Sequence, residues 1–177
     1  ETFELKRLAL IIKDALERSG IEKIYISEEI LDFLNGLNGL ISAYLNRGSS
    51  EKDYIFWDKS HSLKEKYRNK TKLGFSGKEA EIDSGRLQAM IANVLDKINM
   101  GIDKALDKKN NVYYSYFINE VAEYETIKEH FVKPAKFIQK KLPLFLEGQM
   151  HALRLAENKN TAFGLHKATK TSQLYDK

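Results

Sequence analysis

Glutamate, histidine and arginine side chains near the end of the chain are spaced so that they could do chemistry together. Glu147 and His151 are four positions apart, so a helix places both on one face, as a metal site requires. A third and a fourth ligand are not identifiable in the sequence. Projected on a helix, Glu147, His151 and Arg154 form a polar stripe opposite an apolar side. We therefore predict a helix surface here, with no metal and no cofactor.

A second pair of carboxylates lies in the segment "NEVAEYE". Glu120 and Glu123 are close in sequence, and Tyr124 could hydrogen-bond to either of them. Glycosidases use two carboxylates about 5 to 9.5 Å apart, but any acidic surface supplies such pairs by chance. A small hydrolase would further require that this pair converge with Glu147 and His151. The sequence therefore identifies no catalytic residue, and any such residue is unknown.

Aromatic side chains are the third group with a chemical use, because their faces stack on sugar rings and on bases. The chain has nine Tyr, nine Phe and one Trp. Tyr54, Trp57 and His61 fall near one stripe of a predicted helix, and Tyr67 lies further along it. We predict carbohydrate binding by Trp57, Tyr54 and Tyr67. Packing in a hydrophobic core is the alternative for the same residues.

Composition narrows the classes of partner. The 177 residues contain 29 Lys and Arg against 25 Asp and Glu, a formal charge of +4, and no cysteine. Acidic residues are interleaved through nearly every segment, which argues against a nucleic-acid partner. The longest apolar run, Leu8 to Ile12, is far shorter than the roughly 20 residues of a membrane span, so no membrane partner is predicted.

We interpret both ends of the sequence as truncation points within a longer polypeptide. It begins at Glu1 without a methionine and ends on "SQLYDK" without a terminating signal. We therefore interpret the chain as one compact unit taken from a longer polypeptide, whose remainder is the expected partner. The sequence contains no targeting segment that would define its compartment. The compartment is unknown from the sequence, and the cytoplasm is favoured.

The elements that must position these residues are mainly helical. Apolar residues at helical spacing predict four helices in residues 1–107, the first with a stripe from Leu5 to Leu16. The second begins at Ser27 and contains Gly36 and Gly39, which indicate close helix–helix contact or a kink. The third begins at Ser49 or Ser50 and ends before Gly74, and the fourth is capped by Asp83 or Ser84. We expect these four helices to pack together.

Residues 108–177 are predicted to form a short β ribbon followed by C-terminal helices. "VYYSYFINEV" is rich in aromatic and β-branched residues, and "FVKPAKFIQKKL" contains Pro134, which suits an edge strand. Pro143 is acceptable in the first turn of the helix that carries the polar stripe. The predicted fold class is therefore mainly α. It comprises about five to six packed amphipathic helices and a small two-stranded ribbon near residues 112–138.

Four segments resemble a group of large, mostly bacterial carbohydrate-active proteins described as cellobiose phosphorylase-like. That group lies near the glycoside phosphorylases and glycoside hydrolases with an (α/α)6 barrel. The resemblance covers about residues 54–177 and leaves out the first two helices. The segments are "EKYRNKTKLGFSG", "YSYFINEVAEYE", "LPLFLEGQMHALRL" and "SQLYDK".

The resemblance implies a helical segment of a multidomain carbohydrate-active enzyme, with structural or substrate-cleft support as its role. The ligand would be an oligosaccharide or a sugar phosphate. No catalytic residue of the family maps onto this chain, and 177 residues are too few for a complete barrel, so the segment is not expected to be active alone. The alternative is a free-standing helical protein-interaction module of unknown partner, which the mixed charge and long amphipathic helices favour.

Overall fold

A computed structural model describes residues 1–48, 51–128, 130–172 and 174 of the chain. Mainly helical structure with small two-stranded antiparallel sheets confirms the predicted fold class. The helices are α1 (Thr2–Ser19), α2 (Glu28–Leu45), α3 (Lys52–Thr71), α4 (Ser84–Ala105), α5 (Leu146–Arg154) and α6 (Lys159–Thr171). The strands are β1 (Lys23–Ser27), β2 (Glu79–Asp83), β3 (Leu106–Asp107), β4 (Val112–Tyr113), β5 (Phe117–Lys128) and β6 (Phe131–Lys141).

The described residues group into two compact units. Leu8–Ile98 form one, named here the helical unit, and Glu1–Arg7 with Asn99–Lys177 form the other, named the ribbon unit. Both α1 and α4 contribute residues to each unit. The division into 1–107 and 108–177 stays a prediction. None of the described helices is both long enough and apolar enough to cross a membrane.

A small apolar core lies beneath the β1–β2 sheet of the helical unit. The two strands pair antiparallel, from Lys23 opposite Asp83 to Ser27 opposite Glu79. Because strand side chains alternate, one face of this sheet is apolar, and it packs on Leu31 of α2 and Met90 of α4 around the buried Ile82. The sequence patterns predict no strand at β2, because its five mostly polar residues give a weak strand pattern.

The first turn of α2 is held by a buried carboxylate. Ser27, where this helix was predicted to begin, lies at its N-cap position but makes no side-chain capping bond, and its hydroxyl donates to the carboxylate of Glu29. Glu29 is buried and also accepts the backbone N–H of Ser76 at 2.9 Å. Hydrogen bonds from Ser27 and then from Ser76 hold the pKa of Glu29 at about 2. The predicted start of α2 at Ser27 is therefore confirmed, but the serine side chain supports a buried anion instead of capping the helix.

Close packing of α2 on α3 explains one of the two glycines inside α2. A Cβ at Gly36 would lie 2.9 Å from the Leu63 Cδ1 atom, which confirms the predicted close contact there. Gly39 has open space around it, so close packing does not explain that residue. The helix α3 ends at Thr71, before Gly74 as predicted, and its predicted start at Ser49 or Ser50 lies outside the described residues.

The apolar stripe of α1 is exposed to solvent. Leu5, Leu8 and Ile12 were expected to pack against other helices, yet their side chains are 41–52% exposed. The buried residue of this helix is Ala9, which borders the stripe beside Leu5 and Ile12. The expected burial is therefore wrong, because amphipathicity predicts which side of a helix is apolar but not which neighbour covers it.

The start of α4 follows the prediction, and its contact with α2 is partly polar. Asp83 Oδ1 accepts the backbone N–H of Arg86 at 2.9 Å, which confirms Asp83 as the capping residue. The Arg86 guanidinium donates to Asn35 Oδ1 at 2.7 Å, and Asn93 Nδ2 donates to Asn38 Oδ1 at 2.9 Å. These hydrogen bonds between side chains therefore add to the apolar core that α2 and α4 share around Ile82.

The predicted two-stranded ribbon is confirmed, but it spans residues 117–141 instead of 112–138, and Val112–Tyr113 pair with β3. β5 and β6 pair antiparallel from Phe117 opposite Lys141 to Lys128 opposite Phe131, with β-bulges along the way. Most of its side chains are exposed on both faces. Pro134 lies opposite Tyr124, as an edge strand of a two-stranded sheet permits.

Polar contacts from the chain before the ribbon hold α5. The helix begins at Leu146, so the expectation that Pro143 lies in its first turn is wrong. Phe145 is extended at the N-cap position, and the Ser115 hydroxyl, about 30 residues away in sequence, accepts the backbone N–H of Gly148 at 3.0 Å. The remote serine satisfies a donor that Phe145 cannot.

Candidate functional site

The exposed face of α3 carries a row of three aromatic rings, named here the aromatic row: Tyr54, Trp57 and His61. Their spacing of three and four residues places them on one side of the helix. The Trp57 and His61 rings are stacked, with centroids 6.0 Å apart and an interplanar angle of 15°. Tyr54 lies 5.9 Å from Trp57 with its ring tilted by 35°. Trp57 is 42% exposed, so its ring remains accessible to a ligand.

Tyr67, the third residue predicted to bind carbohydrate, lies elsewhere. Its ring packs against Phe33 of α2 with centroids 4.9 Å apart, and the side chain is half-buried. This is the core packing that the sequence analysis gave as the alternative. The structure therefore brings together two of the three predicted residues and adds His61, whose place on the same stripe was visible in the sequence.

A polar hollow of about 350 Å³ follows the aromatic row along α3. Glu65 and Arg68 continue the helical spacing from His61, and the Arg68 guanidinium donates to Glu65 Oε1 at 3.1 Å. Desolvation raises the pKa of Glu65, but the charge and hydrogen bond of Arg68, together with the charges of Lys64 and His61, outweigh it, so the pKa lies below its ordinary value. Asn69, Thr71 and Lys72 complete the polar lining. One face of α3 thus joins aromatic rings to hydrogen-bonding groups.

The ribbon unit gathers the predicted polar stripe of α5 into a larger charged cluster. His151 lies between two carboxylates, with Nδ1 3.1 Å from Glu4 Oε1 and Nε2 3.8 Å from Glu147 Oε1. Arg154 reaches the same Glu4 oxygen at 3.4 Å, and the Tyr116 hydroxyl donates to Glu147. Glu147, His151 and Arg154 therefore lie together as the helical spacing predicted, and Glu4 and Tyr116 join them.

Electrostatics in this cluster favour the ionised form of Glu4. Hydrogen bonds from Arg7, His151 and then Arg154 hold its pKa at about 2 against the opposing effect of desolvation. The hydrogen bond to Glu147 raises the pKa of Tyr116. Each polar group here already has a partner within the protein, so the cluster binds the start of α1 to α5. Nothing in the local sequence pairs Glu4 with His151, because they are 147 positions apart.

The other candidate carboxylates are engaged on the ribbon. Lys140 Nζ lies 2.7 Å from Glu120 Oε2, and Lys136 Nζ lies 2.9 Å from Glu123 Oε1. These are cross-strand ion pairs, which an exposed antiparallel ribbon forms from opposite charges on one face. In the described ranges, no group of three or more His, Asp and Glu side chains is arranged to hold a metal ion.

Comparisons with protein families and with curated proteins identify no relative of this chain: no protein-family model matches it, and no curated protein matches it. The carbohydrate-active resemblance therefore stays a prediction that depends on the four quoted segments.

Proposed function

We propose that this chain is a helical segment of a multidomain bacterial carbohydrate-active enzyme, of the glycoside phosphorylase or glycoside hydrolase type. Its role in that enzyme is structural, and the aromatic row of α3 supplies part of the substrate cleft. The segment is not catalytic alone. The observation that carries the proposal is the accessible indole ring of Trp57, stacked on His61 beside a polar hollow.

An exposed stack of aromatic rings is better explained by sugar binding than by packing in a hydrophobic core. A large aromatic side chain left at the surface forgoes the free energy of burial, which a ligand stacking on it can recover. The faces of pyranose rings are apolar, whereas their rims carry hydroxyl groups. The aromatic row would contact the faces, and the side chains of Arg68 and Asn69 would hydrogen-bond to the hydroxyl groups.

The test uses the intrinsic fluorescence of Trp57, the one tryptophan of the sequence. Titration of the 177-residue protein with cellohexaose is expected to change its emission in a saturable way. Trp57→Ala is expected to weaken binding about fivefold or more in isothermal titration calorimetry, because one aromatic contact is worth roughly 1 kcal/mol or more. Arg68→Ala is expected to weaken it less.

Tyr124→Ala is the matched control. Tyr124 is an exposed aromatic residue on the ribbon and is not part of the aromatic row, so its loss should leave binding unchanged. A glycan array of neutral oligosaccharides and sugar phosphates extends the test beyond glucose polymers. The absence of binding to every glycan on the array, or full binding by the Trp57→Ala variant, would contradict the proposal.

The alternative is a helical protein-interaction module, and the exposed apolar stripe of α1 favours it. Leu5, Leu8 and Ile12 form the kind of contiguous apolar side that protein partners cover. The coding sequence around this segment discriminates between the two functions. A barrel of several hundred residues in the same polypeptide favours the enzyme, and a coding region limited to this segment favours the module.

A further inference from the structure

The β5–β6 ribbon has an exposed face whose middle carries no charge. Residues directly opposite each other in an antiparallel pair point to the same face. Three opposite pairs of uncharged residues lie on one face, named here the apolar face: Val121 with Phe137, Tyr124 with Pro134, and Thr126 with Val132. Each strand has one extra residue between the first two of these pairs, so the pairs stay on one face. Val121, Tyr124 and Val132 are 49%, 63% and 58% exposed.

The opposite face of the ribbon, named here the charged face, carries the ion pairs. Lys140 Nζ lies 2.7 Å from Glu120 Oε2, and Lys136 Nζ lies 2.9 Å from Glu123 Oε1. Within the described residues, no third strand pairs with the ribbon and no helix packs along its length. A two-stranded sheet with both faces in water is marginally stable, whereas a cover on its apolar face stabilises it. An exposed apolar face of this length is therefore typical of a surface that another molecule covers.

The two free edges of the ribbon do not favour pairing with the edge of a second copy. β6 contains Pro134, which has no N–H to donate, and lysines along its length, and both features protect an edge strand from pairing. β5 contains Glu120, Glu123 and Glu125, so two β5 edges side by side would bring carboxylates of the same charge together. The apolar face is therefore the part of the ribbon that is suited to self-association.

We infer that two copies of this chain associate through the apolar faces of their ribbons. Two sheets pack face to face about 10 Å apart with their strands roughly aligned, which leaves both charged faces in water. A second copy fits because it offers a face of the same length, and two uncharged faces meet without repulsion. Along β5, Val121 and Thr126 flank the larger Tyr124 on this face, so each ring can lie against β-branched side chains of the other copy.

The dimensions of the apolar face predict a weak dimer. β5 has 12 residues and β6 has 11. At about 3.3 Å per residue and about 10 Å for the width of two strands, the face offers roughly 400 Å² per copy. Two copies then bury roughly 800 Å² in total, compared with about 1,200–2,000 Å² in stable complexes and less in transient ones. The dimer is therefore expected to form at high protein concentration and to dissociate on dilution. It is independent of the aromatic row.

The test is sedimentation equilibrium of the full chain from about 10 µM to about 1 mM, the range in which weak complexes form. The apparent mass is expected to rise with concentration from the 20.4 kDa of one chain toward twice that value. Amide signals of residues 119–126 and 132–139 are expected to shift on dilution in NMR spectra. A mass that stays at one chain at every concentration would overturn the inference, and so would dilution shifts confined to another surface such as α1.

Val121→Lys/Val132→Lys is the test variant, because it places two charges on the apolar face. Ile118→Lys/Ile138→Lys is its matched control, since these isoleucines are 43% and 52% exposed on the charged face and the added charge is the same. The test variant is expected to weaken dimerisation about tenfold or more through repulsion between like charges, and the control should weaken it little.

Val121→Thr/Val132→Thr keeps the β-branched shape and is expected to weaken dimerisation by less than the lysine substitutions. Equal weakening by the two lysine variants would show that only overall charge matters and would reject the apolar face as the interface. Amide spectra of each variant at low concentration establish that it is folded, so a loss of dimer is not mistaken for a loss of the ribbon.

Discussion

The two units hold their helices in different ways. In the helical unit, α2 and α4 pack on the sheet around an apolar core of Leu31, Ile82 and Met90. In the ribbon unit, α5 is held by polar contacts: the buried side-chain amide of Gln149 pairs with the backbone of Tyr113, and His151 pairs with Glu4. The helical spacing of apolar residues in the sequence predicts helices that pack around an apolar core, as in the helical unit. No periodic pattern predicts the polar contacts that hold α5, because the residues that make them are far apart along the chain.

The largest effect is expected from the apolar core of the helical unit. Ile82 is 1% exposed, and Ile82→Ala should lower the free energy of unfolding by about 3–4 kcal/mol, through lost burial and the cavity left behind. Ile21→Ala is the matched control, because Ile21 is exposed and the same substitution there should cost less than about 0.5 kcal/mol. Urea denaturation, with amide exchange of β1 and β2, measures both. Similar losses at both sites would contradict an apolar core centred on Ile82.

The polar counterpart of Ile82 is Gln149, also 1% exposed. Its Nε2 donates to the Tyr113 carbonyl at 2.6 Å, and its Oε1 accepts the Tyr113 N–H at 2.9 Å. Gln149→Leu should cost about 2–3 kcal/mol, because it leaves two backbone groups without partners. Amide exchange at Tyr113 and urea denaturation measure this loss. Gln139→Leu, at an exposed ribbon position, is the control, and a neutral Gln149→Leu would show that packing alone holds α5.

A smaller effect distinguishes two helical glycines of the ribbon unit. A Cβ at Gly148 would lie 2.7 Å from Ser115 Oγ and 3.3 Å from the Tyr113 carbonyl oxygen, so Gly148→Ala should destabilise by about 1–2 kcal/mol. Gly164, in α6, has open space, and Gly164→Ala should stabilise by up to about 1 kcal/mol. Thermal unfolding gives both signs. A stabilising Gly148→Ala would mean that α5 does not approach Ser115 closely.

The smallest expected effect is a change in the pKa values of Glu4 and Glu29, which are both about 2. Arg7, His151 and Arg154 lower the pKa of Glu4, whereas hydrogen bonds from neutral Ser27 and Ser76 lower that of the buried Glu29. Each folded-state pKa lies below the ordinary value of 4.5, so each contribution to stability is complete above about pH 4.5 and is lost as the pH falls toward 2.

Salt should separate the two causes. In about 1 M sodium chloride the Debye length falls to about 3 Å, so the pKa of Glu4 should rise toward its ordinary value while that of Glu29 changes little. Carbon-13 NMR titration of the glutamate carboxyl groups measures both values, and Glu4→Gln and Glu29→Gln assign the signals. A rise of equal size in both pKa values would show that neutral hydrogen bonds do not dominate at Glu29.

Much of the fold could be predicted because local patterns encode it. Asp83 at the start of α4 and the end of α3 before Gly74 follow from capping and glycine signals within a few residues. The ribbon followed from its aromatic and β-branched composition. β2 was missed because its pattern is short and polar, and the burial of Leu8 and Ile12 was wrong because the sequence does not show what covers an apolar side.

The candidate sites divide in the same way. The sequence by itself determined that Tyr54, Trp57 and His61 share one side of α3, and that Glu147, His151 and Arg154 share one side of α5, because helical geometry fixes which residues three and four positions apart are neighbours. Only the tertiary structure decided that Tyr67 packs on Phe33 and that Glu4 completes the charged cluster, because contacts between distant residues depend on how the chain folds back on itself.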